Sequence, residues 1–237
     1  MKKILSLSLL TAAILVTSGC DKIEDIVDDY LKTAVVVIEN GTQNPITISA
    51  EGTVTSSNVV DSGKSNVQTL LNEDTYDVTL TINGSDRKTN VSKDRTTILG
   101  VSAVNQNIVT DYNVLSNNVR TNVMILNLSD VELTSSNVLS LEIIMKDGSI
   151  KHLVLPASAV PVGAKSELTG NGVQVNLNDV ESINGEEIAS ILSENDVDPL
   201  VAKNLSKLGN MDFAIVVKSL TDIKVVPLVN PADIELL

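Results

Sequence analysis

Tryptophan is absent from the 237 residues, and the aromatics stop at Tyr30, Tyr76, Tyr112 and Phe213. Sugar-binding surfaces and base-stacking platforms both lean on aromatic faces, so neither function is expected. His152 is the only histidine and Cys20 the only cysteine. Zinc and copper sites draw on imidazole and thiolate, and this chain has too few of either to build one. A nucleophilic triad would have to use His152 or do without histidine. A single cysteine also leaves no intrachain disulfide, so packing must supply the stability. Cations are scarce: 17 Lys and Arg stand against 30 Asp and Glu, a net charge of −13. Such a chain is repelled by nucleic acid phosphates and anionic headgroups, and nucleic acid is not an expected partner. There is no Gly/Ser/Pro-rich linker tract and no low-complexity tail.

What is present begins with the first twenty residues. Lys2 and Lys3 form a positive flank, Ile4 to Val16 an apolar run, and Thr17, Ser18 and Gly19 a small-residue exit into Cys20. The run is shorter than the roughly 20 residues that a bilayer-spanning helix needs. It therefore reads as a secretory signal of residues 1–19. The Ser18-Gly19-Cys20 ending resembles the lipobox of bacterial lipoproteins, with Thr17 standing where that family usually has Leu. The resemblance implies cleavage after Gly19, a diacylglycerol on the Cys20 sulfur, and a lipid-anchored place in the cell envelope. Asp21 resembles the inner-membrane retention signal of enteric bacteria, and the choice of leaflet stays open. Residues 1–19 hold two of the cations and no acid, so the chain from Cys20 onward has 218 residues and a net charge of −15.

Ile23, Ile26, Val27, Tyr30 and Leu31 recur at helical spacing opposite Glu24, Asp25, Asp28 and Asp29. Residues 20–32 are therefore expected to be a lipidated tether or short helix. A membrane-lying helix would carry Lys and Arg on its polar face, and this one carries acids.

From residue 33 the pattern turns to β. Ala34 to Ile38 is a continuous β-branched run, and Tyr76, Val78, Leu80 and Ile82 alternate with Asp77, Thr79 and Thr81 before Asn83-Gly84. Residues 33–104 are expected to form one β-sandwich domain, with a polar, Asn-rich boundary over 105–118. Val35-Val36-Val37-Ile38-Glu39-Asn40-Gly41, the Ser62-Gly63-Lys64-Ser65 bend and Thr75-Tyr76-Asp77-Val78-Thr79-Leu80 resemble the small immunoglobulin-like domains of bacterial surface lipoproteins. That resemblance implies a sandwich without catalytic residues. A second β-rich domain is expected over 119–230, with helices near 186–194 and 199–208. The opening Val123 to Ser129 echoes the stretch Val36 to Gly41, which raises an internal repeat. The expectation is a mainly β chain of two immunoglobulin-like or β-sandwich domains, the second with a short helical insertion. Leu139 to Met145 and Ile150 to Val154 should pair as a hairpin across a two-residue Asp147-Gly148 turn, both positions taking positive φ.

Candidate chemistry is thin. His152 shares a strand face with Ile150 and Val154 and is expected to be a partly buried strand histidine. Gly63-Lys64-Ser65 lacks the P-loop's first glycine, since position 58 is Asn, and precedes a strand. Ser85 and Lys88 have Ser-x-x-Lys spacing but fall in a hairpin and not at a helix start. The calcium candidates are Glu73, Asp74 and Asp77, and also Glu194, Asp196 and Asp198. Neither set has EF-hand order or an internal glycine, so solvated acids are the expectation. Asn-x-Ser/Thr triplets include those at Asn40, Asn83, Asn90 and Asn127, and matter only in a glycosylating pathway. No catalytic residue, metal or cofactor is expected. The reading that follows is a non-catalytic envelope lipoprotein, on the membrane through its lipid and meeting another envelope protein through a strand edge. The alternative is a hydrolase or lyase of the cell envelope using two carboxylates.

Overall fold

The computed structural model describes residues 33–50, 59–71, 75–92, 95–112, 123–137, 140–154, 159–167, 175, 179–188, 190–191 and 212–228. Signal, tether, Glu73, Asp74 and the 199–208 segment lie outside these. The described chain is mainly β and builds four sheets of four strands. Its first eight strands are β1 (Thr33–Asn40), β2 (Ile46–Ala50), β3 (Val59–Val60), β4 (Ser65–Leu71), β5 (Thr75–Ile82), β6 (Ser85–Ser92), β7 (Thr96–Val101) and β8 (Ile108–Tyr112). The next eight are β9 (Met124–Asn127), β10 (Ser140–Met145), β11 (Ile150–Val154), β12 (Ala164–Glu167), β13 (Val180–Ile183), β14 (Glu186–Glu187), β15 (Asp212–Ser219) and β16 (Asp222–Leu228).

The two sets have the same topology. The sheets β4-β1-β7-β8 and β3-β2-β5-β6 recur as β12-β9-β15-β16 and β11-β10-β13-β14. In each half the opening strand is antiparallel to the fourth and parallel to the seventh. The halves are thus two copies of one arrangement.

Alternation explains the layering. On β1, Ala34, Val36 and Ile38 face β2 and β5, and join Ile46, Tyr76, Val78, Leu80, Leu99 and Val101 in the first interior. The second half fills its interior with Ile125, Leu141, Ile143, Phe213, Ile215 and Val217 among others. The opposite faces of β1 and β7 offer Val37 and Ile98, and those of β9 and β15 offer Leu126, Ala214 and Val216. These meet in a third core that joins the two halves sheet to sheet. That is why β1 and β15 read as unbroken apolar runs: both of their faces are covered.

Contact at this junction is close. The Leu128 carbonyl accepts from Ala103 N (2.8 Å). A Cβ on Gly41 would stand 2.7 Å from the Val101 carbonyl and 2.9 Å from Leu128 Cβ and O. Backbone atoms cannot step aside cheaply, so Gly41→Ala is expected to destabilise by about 1–3 kcal/mol, read from its urea midpoint.

The first sheet runs past Val104. The Asn-rich boundary expected over 105–118 contains β8, which pairs with β7 from Ile108 to Tyr112. The helix expected from 186 starts as strand: Glu186 and Glu187 pair with β13. Among the described residues, α-helical backbone is confined to Ile188, Ser190 and Ile191, and no helix is long and apolar enough to cross a membrane.

The hairpins correct one expectation. Asn83-Gly84 and Asn184-Gly185 are the true two-residue turns, with φ of 50° and 77°, and 51° and 81°. At Asp147-Gly148 only Gly148 has positive φ, 82°. Met145 N bonds Ser149 O and Gly148 N bonds Met145 O, so the loop has three residues. Asp147 stays out of the left-handed region because its carboxylate accepts from both Ser149 N (2.8 Å) and Ser149 Oγ (2.6 Å).

The Ser149 hydroxyl and then its N–H hold the Asp147 carboxyl below its ordinary value of 3.8, with Lys151 adding to the effect. A depressed folded-state value means that the stabilisation is present above the unfolded value. It is lost as pH falls through the folded one. The carboxyl carbon of Asp147 should therefore titrate in NMR below that of an unstructured Asp, and Ser149→Ala should move it back up.

Candidate functional site

Two asparagines, one per half, do the most local work. Asn40 Nδ2 donates to the carbonyls of Asn44, Val60 and Asp61 at 2.9, 2.9 and 3.1 Å. Its Oδ1 accepts from Thr42 N (2.9 Å) and Thr42 Oγ1 (2.8 Å). Asn127 Nδ2 donates to Val131, Val160 and Pro161 carbonyls at 2.9, 2.9 and 3.3 Å. Its Oδ1 accepts from Ser129 N (3.1 Å) and Ser129 Oγ (2.6 Å). Both asparagines are fully buried. The Asn-x-Ser/Thr triplets at these two positions are core hydrogen-bond hubs with no amide left to modify. Asn90 instead bonds Asp77 from an exposed strand.

A groove of about 400 Å³ lies where β6 passes the β7–β8 connection. Asp86, Arg87, Lys88, Gln106, Asn107, Ile108 and Gly163 line it. β6 ends its sheet, and Arg87 pairs opposite the buried Leu80, so it projects at the open side of the first interior. Asn105, next to the lining residue Gln106, accepts from Asn107 N (3.0 Å) and donates to Val162 O (3.1 Å) of the second half. Gln106 beside it has φ of 55°. The lining offers hydrogen bonds and charge of both signs; its one acid, Asp86, accepts from Thr81 Oγ1 (2.7 Å). A second groove of about 170 Å³, lined by Leu141, Ile183, Glu186, Ile191, Ile223 and Lys224 among others, also has one acid.

Among the described residues a second concentration of charge is buried between the halves. Glu39, fully buried, meets Lys218 Nζ at 2.6 Å and Lys224 Nζ at 3.4 Å. Ser65 Oγ donates to Glu39 Oε2 (2.7 Å). Lys218 Nζ also reaches the Gly63 carbonyl at 3.0 Å, and Lys224 Nζ reaches Ser65 Oγ at 3.0 Å. Farther along, Lys165 Nζ bonds Thr110 O (2.6 Å) and lies 3.6 Å from Asp111. Every one of these partners is a structural neighbour, and the acid is sealed from solvent. This is a docking element and not a cleft.

The residues singled out from sequence are dispersed. Gly19, Cys20, Asp21, Glu73, Asp74, Glu194, Asp196 and Asp198 lie outside the described residues. Asp77 is exposed on β5 and bonds Asn90. Among the described residues no group of three His, Cys, Asp or Glu side chains could hold a metal ion. His152 is exposed, against the expectation of partial burial. It pairs opposite Glu142 on the outer face of its sheet, because the inward positions of β11 belong to Leu153 and Lys151. Gly63, at φ 68°, is a turn leading into β4, and Ser85 and Lys88 both sit on β6. Sequence reasoning missed Glu39, whose signal was an acid directly after four β-branched residues in a buried run.

No family model matches this chain, and no curated protein shows significant similarity to it.

Proposed function

We propose that this chain is a non-catalytic lipoprotein of a bacterial cell envelope, cleaved after Gly19 and acylated on Cys20. The observation that carries the reading is the run from Lys2 to Cys20: positive flank, short apolar core, small exit and one cysteine in the whole chain. Each buried CH₂ of the acyl chains would contribute about 0.8 kcal/mol, and two or three chains give firm anchoring. Two immunoglobulin-like sandwiches would follow, carried off the membrane by residues 20–32. Their interiors are filled by Val, Ile and Leu, which suits a structural or protein-binding body. A carboxylate-based hydrolase or lyase would need two facing acids in one pocket, and the two grooves above carry one acid each.

The partner would be another envelope protein extending a sheet at an end strand such as β6. Asp86, Arg87 and Lys88 on that strand guard it against unselective pairing. Detergent-phase partitioning tests the anchor. Wild type is expected in the detergent phase and Cys20→Ala in the aqueous phase, and equal partitioning of the two would remove Cys20 as the attachment point. A pull-down with the Cys20→Ala form tests the partner, and recovery of nothing reproducible counts against it.

A further inference from the structure

The two asparagine hubs align the halves residue by residue, and the aligned positions at their junction carry a one-sided charge pattern. Glu39, one before Asn40, corresponds to Leu126, one before Asn127. Opposite them stand Ser65 and Lys165. Val101 pairs with Asn40 as Val217 pairs with Asn127, so the next residues, Ser102 and Lys218, correspond. On the last strands, Val109 opposite Gly100 corresponds to Lys224 opposite Val216. Asp111 opposite Ile98 likewise corresponds to Val226 opposite Ala214. At these aligned positions the first half thus brings acids, Glu39 and Asp111, and its Arg95 lies over the Tyr112 ring that Lys165 also approaches. At the corresponding positions the second brings bases, Lys165, Lys218 and Lys224, while its buried Asp212 shares the β15 face of Ala214 and Val216.

The junction itself has the geometry of a two-fold pair. Ser65 of β4 meets Lys224 of β16, and Lys165 of β12 meets Thr110 and Asp111 of β8. The fourth strand of each half therefore lies over the last strand of the other. Two sheets with one topology and similar apolar faces could in principle dock on copies of themselves in the same way. Like pairing would set Glu39 against Ser102 and Val109, leaving a buried carboxylate without a cation. Pairing of two second halves would set Lys218 and Lys224 against Leu126. Either arrangement buries unpaired charge, which costs far more than a matched pair returns.

We infer that these five charges are a pairing code: the first-half sheet docks on a second-half sheet of this chain and rejects a copy of itself. The occupant of each surface is the other half, from the same chain or a second one, and charge complementarity selects it.

Three full-length variants test the code. Glu39→Lys with Asp111→Lys makes both junction faces basic, and Lys165→Glu with Lys218→Glu and Lys224→Glu makes both acidic. Each alone is expected to lose the junction and show a larger hydrodynamic radius than wild type. Mixed in equal amounts, they should form a complex of twice the chain mass by light scattering, each half docking on the other chain. Reversing all five charges in one chain should restore a compact monomer. A one-sided variant that keeps the wild-type radius overturns the inference, as does a mixture that does not associate. If both one-sided variants fail to fold, the five-fold reversal decides. A wild-type radius supports the code, and failure to fold contradicts it.

Discussion

Replacing Glu39 with alanine is expected to lower the unfolding free energy by about 3–5 kcal/mol, the range for removing one member of a buried ion pair. The carboxylate faces two ammonium groups, one 7% exposed and one 20%, and accepts the Ser65 hydroxyl. Its loss strands Lys218 in an apolar junction with only the Gly63 carbonyl and Ser65 for company. Against a total stability of about 5–15 kcal/mol for a domain, such a loss is a large fraction. The companion result separates pairing from burial. Glu39→Leu combined with Lys218→Met and Lys224→Met removes all three charges together and should cost far less than Glu39→Ala, because matched desolvation is then avoided on both sides. Urea unfolding followed by circular dichroism reads both. A Glu39→Ala loss below about 1 kcal/mol would place the pair among weak surface ion pairs.

The second large effect is expected at the hubs. Asn127→Ala removes five hydrogen bonds and leaves buried carbonyls of Val160 and its neighbours unmet. Each buried unsatisfied group costs about 1–3 kcal/mol, so a loss of at least about 3 kcal/mol is expected. Asn127→Asp should be no milder, since it keeps the acceptor but points negative charge at three carbonyls. Asn40→Ala should match Asn127→Ala closely, because its bonds repeat the same pattern. Unequal losses, with one hub dispensable, would show that the two halves do not share this device.

Much of the β architecture is visible in the residues because alternation and burial are tightly coupled. Thr75 to Ile82 alternates in sequence and in the structure, with buried Tyr76, Val78, Leu80 and Ile82. The unbroken run through Val37 declared a strand covered on both faces, and what covers it comes from strands far along the chain. β8 was hidden because Ile108 to Tyr112 is short and set among asparagines, and its place comes from pairing with β7 rather than from its own pattern. Turn chemistry was readable where asparagine precedes glycine and misread at Asp147, whose carboxylate prefers a local bond to Ser149. In the sequence Asn40 and Asn127 stood out as Asn-x-Ser/Thr triplets. Their long-range bonds to Val60 and Val160 depend on segments 20 and 33 residues away, which no local pattern announces. His152 shows the limit of face assignment from spacing, since Ile150 on the same face is itself 56% exposed.

The most direct measurement is the mass of the N-terminal peptide from protein extracted out of native bacterial membranes. The account predicts a chain that starts at Cys20, with its sulfur carrying diacylglycerol. A peptide that retains residues before Cys20, or one that carries a bare thiol there, would contradict it.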